Sequence, residues 1–565
     1  MRRDAVTASP APSRDALVAR LQRHAARPAV RAAALVLVLG FFASQAIVVA
    51  RTDTPTVDEF VYVPAGYYHL RTGDLDFGTT NPPLMKMAMA VPLLAMPIEL
   101  DLDPHWRDNS TGWSEWTFGT RFMETNKTRY LDAYFAARMV VVALGIVLGV
   151  LLFRRACAVL SPLGALATLV LYGTMPPLIA HSALATLDMG VTVPSFAAFL
   201  ALERFTTTKA WPWAGAAGVL LGVAFAAKGI AILFAPLMPV LVAVGWGAWD
   251  REGIRRLTLG TVAAAVGMWI AVLAAWGFSG FPLPKALLEG VRFQMAASGG
   301  ADSFLNGEWS KKGWWYYYLE AFVLKTPLPS LGLIVVGTAA VLAQRLRRTG
   351  DLWILAPPYF LLYVMSFHFA KNYGVRYLLP AFPFFLLLAG HGVDLLLRAG
   401  TRGLTLVSAL LAWQLFGCTM IAPYHIAYFN ELVRTPNEAR RFLLDSNLDW
   451  GQDLGRLKTY LDEHGTNHIC LGYFGHVDPH LYGIDYSYPP TGPMPVRCAI
   501  SANFLAGYPY AITYAGERVL GVKRNAWSWF DRYKPVARVG RSIYVYDLTA
   551  ADLEAHDSAG TGTAR

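Results

Sequence analysis

Charged residues are scarce in this sequence, since Asp, Glu, Lys and Arg make up only 16% of its 565 residues. Soluble domains carry about 25% charged residues. Hydrophobic residues amount to 55% of the chain, and the mean hydropathy is +0.37. This balance excludes an ordinary soluble domain and indicates a chain with several membrane spans.

Cysteine is also rare, and metal-binding patterns are missing. The chain has 4 cysteines and no CxxC pair, which argues against a structural zinc site. The acidic residues from Asp445 to Asp453 are spaced like a calcium loop, but Gly451 stands one position late and Arg456 replaces the bidentate glutamate. We therefore predict no metal site, and we read this stretch as turn and helix-capping chemistry.

The net charge of +10 does not indicate a nucleic-acid partner. Most Arg and Lys residues stand in short clusters between apolar runs, as they do where helix ends are held at a cytoplasmic membrane face. We therefore expect membrane lipid around the chain and no nucleic acid.

Apolar runs of membrane-spanning length recur along the first three quarters of the chain. We predict about eleven spans, at roughly 29–50, 131–153, 157–177, 188–203, 211–227, 229–249, 257–278, 327–344, 352–370, 378–397 and 404–422. The runs 211–227 and 229–249 form a hairpin broken at Lys228 and Gly229. A cleaved signal peptide ending near Ala50 is the alternative for the first run, but that run and its basic leader are too long for a typical signal.

The loops between the spans set the predicted orientation. Residues 1–28 read as a disordered cytoplasmic tail, and every second loop is short and basic, which satisfies the positive-inside rule. An odd number of spans then places the C-terminus outside. The large external pieces are the loops 51–130 and 279–326 and the segment 423–565.

The predicted fold is therefore a polytopic α-helical membrane domain over 29–422 with a C-terminal external α/β domain over 423–565. The latter alternates helix-like and strand-like segments. Cys470 and Cys498 fall in two of the strand-like segments. Because an external compartment permits oxidation, we predict a disulfide between them, and we expect Cys157 and Cys418, in or beside spans, to stay free.

The first external loop concentrates polar residues close to the membrane. Asp58 and Glu59 begin an aromatic, partly polar helix that includes His69, and Asn81 precedes Pro82, Pro83 and an apolar segment that contains Lys86. Solvated surface charge is the plain interpretation of such a carboxylate pair. The neighbouring lipid-facing segment, too short to span, also makes the pair a place to meet a lipid substrate.

These residues resemble glycosyltransferase family 39, a family of GT-C enzymes related to the protein O-mannosyltransferases and the lipid A aminoarabinose transferases. The order of Asp58-Glu59, the Tyr-rich helix and Asn81-Pro82-Pro83-Leu84 is similar to the first external loop of that family. The likeness continues in six later segments, which are 181–189, 227–229, 324–329, 373–380, 428–431 and 445–454. It spans most of residues 50–455.

The resemblance implies a GT-C-like fold and a sugar donor carried on polyprenyl phosphate, which an acceptor hydroxyl displaces at the anomeric carbon. The acceptor, a protein, lipid or polysaccharide, stays open, as does hexosyl or pentosyl transfer. A base must take the hydroxyl proton, and Asp58 is the candidate. Glu59 would orient it or bind a sugar hydroxyl, and Asp188, at the outer start of a span, would support it.

The leaving lipid phosphate needs positive charge. The candidates for this contact are Lys86, Lys228 and Arg376, with Lys325 and Lys371 as weaker ones. Asn81 and His69 complete the predicted substrate-binding set. Each cation could equally be a boundary charge that snorkels to the interface. The chemistry requires no cofactor, although a divalent cation stays open.

Two rival functions belong to other classes. A transporter or flippase of a lipid-linked sugar should carry ionisable residues or broken helices near the middle of the membrane, usually in paired repeats. Here the acidic candidates lie at outer helix ends and in loops. A non-catalytic scaffold leaves the Asp58-Glu59 loop unexplained. We therefore predict a glycosyltransferase of the inner or plasma membrane.

The orientation is directly testable with reporter fusions. Because the basic loops alternate, a reporter fused after Arg348 should read as cytoplasmic and one fused after Arg565 as external. Alkaline phosphatase and green fluorescent protein fusions at both points provide the measurement. A cytoplasmic C-terminus would overturn the predicted span count and would separate the segment from Asp445 to Asp453 from Asp58.

Overall fold

The computed structural model describes residues 14–101, 114–296, 302–343, 349–369, 371–435, 438–512 and 520–561. The basic loop 345–348 and the final residue Arg565, which bear on the predicted orientation, lie outside these ranges. The fold is mainly helical, with a sheet close to the C-terminal end.

The described residues form 22 α-helices, most of which contribute buried apolar residues to one large core. They are α1 (Arg14–Ala25), α2 (Pro28–Thr52), α3 (Val57–Thr72), α4 (Pro83–Ala90), α5 (Ser114–Thr125), α6 (Tyr130–Val159), α7 (Pro162–Gly173), α8 (Pro176–Ser182), α9 (Asp188–Thr208), α10 (Trp211–Ala227), α11 (Leu237–Trp246), α12 (Arg251–Ala275), α13 (Lys285–Ala296), α14 (Tyr317–Lys325), α15 (Leu328–Ala343), α16 (Thr349–His368), α17 (Phe382–Leu397), α18 (Thr401–Ile421), α19 (Ala439–Phe442), α20 (Leu454–Glu463), α21 (Ala502–Leu505) and α22 (Ala550–Thr561).

Several of these helices are long and apolar enough to cross a membrane. Within the described ranges they are Pro28–Thr52, Tyr130–Val159, Gly229–Trp246, Arg251–Ala275, Val375–Leu397 and Thr401–Ile421, which makes 6. The bent pairs α7 with α8 and α14 with α15 raise the number to 8 if each pair is one span. The chain is thus a polytopic membrane protein, as predicted.

The other three predicted spans coincide with α9, α10 and α16, so all eleven predicted runs are helical. α10 is a shorter apolar helix, and α9 and α16, with 21 and 20 residues, are long enough but are not among the segments above. The count of eleven therefore stays a prediction. The hairpin breaks where the sequence indicated, because α10 ends at Ala227 and a 3-10 turn begins at Gly229.

The N-terminal segment corrects one expectation. Residues 14–25 form α1, so the predicted disorder of residues 1–28 is wrong for this part, and residues 1–13 lie outside the described ranges. Gln22 of α1 donates to Ser161 Oγ at 3.1 Å and accepts from the Leu163 N–H at 2.9 Å. These two bonds dock α1 at the start of α7, which a composition argument does not detect.

Small residues allow the membrane helices to approach closely. A Cβ at Gly218 of α10 would collide with the Ala264 carbonyl of α12, and a Cβ at Gly337 of α15 would collide with the Leu388 carbonyl of α17. The hydrophobic effect contributes little to helix association in lipid, so close van der Waals packing must provide the stabilisation. These two helix pairs depend on glycine for that reason.

A buried ion pair positions the start of α3. Arg138 of α6 donates from Nε and Nη2 to the two Glu59 oxygens, each at 2.7 Å. Its other N–H groups donate to the carbonyls of Ala50, Asp53 and Thr54 at 2.8, 2.7 and 3.2 Å. One guanidinium therefore fastens the end of α2, the α2–α3 linker and the first turn of α3 to α6.

The C-terminal part contains the sheet that the sequence predicted. Its strands are β3 (His468–Gly472), β4 (Asp485–Ser487), β5 (Val496–Ser501), β8 (Ala537–Val539) and β9 (Ile543–Leu548), in the order β4-β3-β5-β9-β8. β3 is parallel to β4 and β5, whereas β9 is antiparallel to β5 and β8. Two further hairpins pair β1 (Ser303–Leu305) with β2 (Glu308–Ser310) and β6 (Tyr510–Ile512) with β7 (Leu520–Val522).

The predicted disulfide is confirmed. Cys470 of β3 faces Cys498 of β5 in register, and the two sulfurs are bonded. Cys157 and Cys418 are free, also as predicted. The bond ties the two central parallel strands together.

The C-terminal domain is joined to the helical part next to α3. The Thr54 N–H donates to the Gln452 carbonyl at 2.9 Å, and the Val57 N–H donates to the Trp450 carbonyl at 3.2 Å. Arg456 of α20 bridges Asp53, at 2.6 Å, and Asp453, at 2.5 Å. The loop before α20 therefore lies directly against the α2–α3 linker and contributes to the same surface.

Removal of the Arg138 guanidinium should destabilise the protein strongly. We expect Arg138→Gln to cost about 3–5 kcal/mol, because it leaves the Glu59 carboxylate buried without its counter-charge. Arg51→Gln is the matched control, since Arg51 pairs with Asp132 at 3.6 Å with a side chain 63% exposed. Such surface pairs contribute about 0–1 kcal/mol. Thermal unfolding in detergent measures both variants, and equal melting temperatures would contradict the assignment.

Candidate functional site

Asp58 lies in the first turn of α3, and its side chain is partly exposed. Its Oδ2 accepts a hydrogen bond from Arg376 Nη1 at 2.5 Å and a weaker one from Tyr62 Oη at 3.4 Å. Its side chain is 21% exposed. Among the described residues none donates to Oδ1. One oxygen of Asp58 is thus held by a cation, and the other is free to meet a ligand.

Arg376 lies at the opening of the Val375–Leu397 helical segment, in a 3-10 turn that precedes α17. Its guanidinium carbon is 4.4 Å from the ring centre of Trp450 and 5.3 Å from that of Tyr377. Nε donates to the Tyr373 carbonyl at 3.3 Å. The aromatic rings fix the planar cation beside Asp58 and remove it from water.

A second ion pair lies against the ring of Tyr377. Lys228 follows α10, and its Nζ donates to Asp188 Oδ1 at 2.6 Å. Thr186 donates to the other Asp188 oxygen at 3.0 Å. Lys228 Nζ also stands 4.2 Å from the ring centre of Tyr377. Because both Lys228 and Arg376 contact Tyr377, the two predicted carboxylates Asp58 and Asp188 belong to one site.

Asn81 joins this site through a tyrosine. Its Nδ2 donates to Tyr62 Oη at 3.3 Å, and the same hydroxyl donates to Asp58. Tyr62 is buried, and burial together with the Asp58 charge raises the pKa of its hydroxyl well above the ordinary value. Tyr62 therefore stays protonated and acts as a hydrogen-bond donor.

Glu59 is held by protein groups on both of its oxygens. Besides the Arg138 bonds, its oxygens accept from the Ala185 N–H at 2.6 Å and from the Thr56 N–H and hydroxyl, each at 2.9 Å. The side chain is fully buried. These contacts leave no oxygen for a sugar hydroxyl and do not touch Asp58, so the structure corrects the expected role to a structural one.

Lys86 is also occupied within the protein. Its Nζ lies 3.0 Å from Glu115 Oε1 and 2.6 Å from the Gly78 carbonyl oxygen. The residue has no exposed surface. The predicted lipid-phosphate contact at Lys86 is therefore wrong for this conformation, because a carboxylate that the sequence analysis did not consider, Glu115 of α5, already neutralises the ammonium.

His69 lies about three helical turns along α3 from Asp58, since α-helices have 3.6 residues per turn. Its Nδ1–H donates to the Asp74 carbonyl at 2.7 Å. Burial, followed by the Lys86 charge, lowers the pKa of His69 to about 4. The neutral, buried ring packs at the end of α3, far from Asp58. The expected substrate contact at His69 is therefore wrong.

The two weaker cation candidates lie apart from Asp58. Lys325 is buried and donates to the carbonyls of Ile426 at 2.8 Å and Asn447 at 2.5 Å. Lys371 donates to the Gln294 side chain at 3.4 Å. Lys325 thus tethers the C-terminal domain to the end of α14. Of the predicted cations, Arg376 and Lys228 are the two that contact Tyr377.

The C-terminal domain supplies residues that the sequence analysis did not assign to the site. Trp450 covers Arg376, and Asp445, in a 3-10 turn, is close enough for its charge to interact with that cation. Burial raises the pKa of Asp445 to about 6, against the opposing charge of Arg376. Burial likewise raises the pKa of Asp449 to about 8. The family-like stretch 445–454 was the available signal, but only the tertiary contact joins it to Asp58.

No metal centre is evident in the described part of the chain, where no three His, Cys, Asp or Glu side chains are grouped to hold an ion. The acidic stretch from Asp445 to Asp453 is built around other partners. Asp453 accepts from the Ser542 N–H at 3.1 Å and its hydroxyl at 2.8 Å, and Asp449 accepts from the Gly451 N–H at 3.3 Å. The divalent cation stays a hypothesis.

Neither known protein families nor curated proteins give a match to this chain. Two solved structures are similar to it over most of both chains. The structure of ArnT from Cupriavidus metallidurans bound to undecaprenyl phosphate is 14% identical, with a TM-score of 0.48, covering 91% of this chain and 98% of that one. The apo structure of the same protein is 15% identical, with a TM-score of 0.46, covering 92% and 98%. At this similarity the comparison assigns no activity, so function must be argued from the site itself.

Proposed function

We propose that this protein is a glycosyltransferase that moves a hexose or pentose from a polyprenyl-phosphate carrier to an acceptor hydroxyl, with Asp58 as the general base. The observation that carries the proposal is the Asp58–Arg376 pair, 2.5 Å apart, with one Asp58 oxygen free and a second cation, Lys228, across Tyr377. A candidate base and two cations are then grouped around Tyr377, beside membrane-spanning helices.

The cations suit a lipid phosphate. Arg376 and Lys228 both stand where an apolar helical segment begins or breaks, so a polyprenyl chain can stay among the helices while its phosphate reaches them. A guanidinium has five N–H groups and an ammonium has three. The bonds to Asp58, Tyr373 and Asp188 leave both cations with N–H groups for phosphate oxygens.

The reaction follows from this arrangement. The acceptor oxygen forms a bond to the anomeric carbon while its proton passes to Asp58 Oδ1. The bond from that carbon to the phosphate oxygen breaks, and its electron pair stays on the phosphate, next to Arg376 and Lys228. Preorganised positive charge where negative charge develops is a major source of rate enhancement. Asp188 holds the Lys228 ammonium in place.

Several features favour transfer over transport. The carboxylates of the site lie at the first turns of α3 and α9, whereas a transporter binds its substrate near the middle of the membrane. By the positive-inside pattern the site faces the outside of the inner or plasma membrane, where the acceptor is a protein, lipid or polysaccharide hydroxyl.

Loss of the base should affect chemistry and leave donor binding intact. Asp58→Asn keeps the side-chain shape but cannot accept the proton, so turnover should fall by roughly 10²–10⁴-fold. The assay uses purified protein in vesicles, radiolabelled undecaprenyl-phosphate sugars, and a panel of acceptors comprising a Ser/Thr-rich peptide, lipopolysaccharide and a mannan oligosaccharide. Asp462→Asn is the control, because Asp462 pairs only with Lys458 on the exposed face of α20. Wild-type turnover in Asp58→Asn would show that Asp58 is not the base.

Removal of either site cation should weaken binding of the lipid phosphate. A charge-assisted hydrogen bond contributes about 1.5–3 kcal/mol, so Arg376→Gln and Lys228→Gln should each weaken undecaprenyl phosphate binding roughly 10- to 100-fold. Lys86→Gln is the matched control, since its ammonium is buried against Glu115. It should lower the melting temperature while the folded fraction binds normally. The cation assignment fails if Lys86→Gln alone weakens binding.

A further inference from the structure

Asp445 has an unusual backbone conformation and one free oxygen. Its φ is +56°, a left-handed conformation that Asp and Asn tolerate better than most residues. Its N–H donates to Asn503 Oδ1 at 3.1 Å, and its Oδ1 accepts from the Ser446 N–H at 2.6 Å. No donor to Oδ2 exists among the residues that the structure describes. The side chain is half-buried, so that oxygen is accessible.

The backbone places Asp445 beside Arg376. The next residue, Ser446, donates from Oγ to the Tyr373 carbonyl at 2.7 Å, and Arg376 Nε donates to that same carbonyl at 3.3 Å. A Cβ at Gly374 would collide with Ser446 Oγ, so the two loops are in close contact. The Asp445 turn of the C-terminal domain and the Arg376 turn of the helical part are therefore one surface.

Charge coupling reports the same proximity. The charges that act on Asp445 are those of Arg376 and Asp58, and Asp445 in turn acts on Tyr317, Tyr373 and Tyr508. These residues come from α3, α14, the turn before α17 and the C-terminal domain. Asp445 and Asp58 thus flank one guanidinium, and each has one oxygen that no described residue occupies.

We propose that Asp445 is a second substrate-contacting carboxylate, which accepts a hydrogen bond from a donor group of the acceptor and so turns the reacting hydroxyl toward Asp58. This inference rests on the proposed function and extends it to the acceptor. A reacting hydroxyl has a single proton, which Asp58 takes, so Asp445 must hold a second hydroxyl, amide or amine of the same molecule. Asp445 undergoes no covalent change.

The proposal gives the C-terminal domain a direct part in the reaction. The lipid donor approaches from the helices, where Arg376 and Lys228 lie, whereas Asp445 belongs to the C-terminal domain and adjoins Tyr373, whose carbonyl accepts from Arg376 Nε. A half-buried tyrosine offers an apolar ring and a polar hydroxyl to a ligand. The donor then enters from the helical part and the acceptor from the C-terminal domain, and the two meet at Asp58.

The protonation of Asp445 supplies a readout. The pKa of this carboxyl is raised to about 6, so the carboxylate is present above that pH and is protonated as the pH falls through it. Protonated Asp445 accepts hydrogen bonds poorly. The KM for the acceptor should therefore rise as the pH drops below about 6, and the KM for the donor should not follow it.

The decisive variant is Asp445→Asn, which retains an oxygen for the Ser446 N–H and tolerates the left-handed backbone. The assay uses protein in phospholipid vesicles with the undecaprenyl-phosphate sugar and the panel acceptor that supports transfer. It measures transfer to that acceptor and hydrolysis of the donor by water. We expect roughly tenfold lower kcat/KM for the acceptor, loss of its acidic pH limb, and donor hydrolysis within about twofold of wild type.

Two further variants frame that result. Asp485→Asn, at an exposed strand position where Asp485 pairs with His468, is the matched control and should behave as wild type. Asp445→Glu keeps the charge, so it should retain an acidic limb even if the KM changes. It also serves if Asp445→Asn folds poorly.

The outcomes are separable. Unchanged transfer in Asp445→Asn, or an equal loss of transfer and hydrolysis, would overturn the acceptor-binding role while Asp58→Asn still tests the base. Absence of transfer from every donor by the wild-type protein would overturn the proposed function and this inference with it.

Discussion

The Glu59–Arg138 ion pair is the interaction on which the site depends. Arg138 arises from the third turn of α6, yet it hydrogen-bonds three carbonyls around the end of α2 as well as both oxygens of Glu59. Glu59 in turn binds the Thr56 N–H and hydroxyl at the start of α3 and the Ala185 N–H just before α9. Asp58 precedes Glu59 in the first turn of α3, so the Glu59–Arg138 pair also fixes the position of Asp58. Burying two charges is costly. Here both Glu59 oxygens and all the Arg138 guanidinium nitrogens have hydrogen-bond partners, and under that condition such a pair holds a unique geometry.

The two ion pairs beside Tyr377 follow a different electrostatic pattern. Arg376 and Lys228 are each paired with a single carboxylate and each packed on Tyr377, and both keep unused N–H groups. Asp58 and Asp188 provide the counter-charges of these two buried cations. An incoming anion meets cations that are already oriented, so little reorganisation is needed when it binds. The structural charges have all their hydrogen-bonding positions occupied, whereas the two cations beside Tyr377 keep N–H groups that can bind a ligand.

The C-terminal domain is part of the site rather than an appendage. Trp450 covers Arg376, and the backbone of Trp450 and Gln452 pairs with the α2–α3 linker. Arg456 joins Asp53 to Asp453 across the same junction. The sheet, with its Cys470–Cys498 bond between parallel strands, supports the loop that carries these residues. Any movement of this domain would therefore shift Arg376 and, through the ion pair, Asp58.

By itself the sequence determined the polytopic class, the positions of the helical runs, the break at Lys228, the sheet of the C-terminal domain and the pairing of Cys470 with Cys498. Those features depend on local hydropathy, turn residues and cysteine scarcity, which are written along the chain. It also pointed to Asp58, Asp188, Lys228 and Arg376, which the structure brings around Tyr377.

Only the tertiary structure decided which charges are free. Glu59, Lys86 and His69 look as polar in the sequence as Asp58 does. In the structure, however, Arg138 binds Glu59, Glu115 binds Lys86, and the Asp74 carbonyl accepts from His69. The Thr56-x-x-Glu59 capping pattern and the lone Arg138 inside an apolar run were signals for the first of these. No pattern along the chain announces that Asp445 lies beside Arg376, because a contact between residues so far apart is set by how the domains pack.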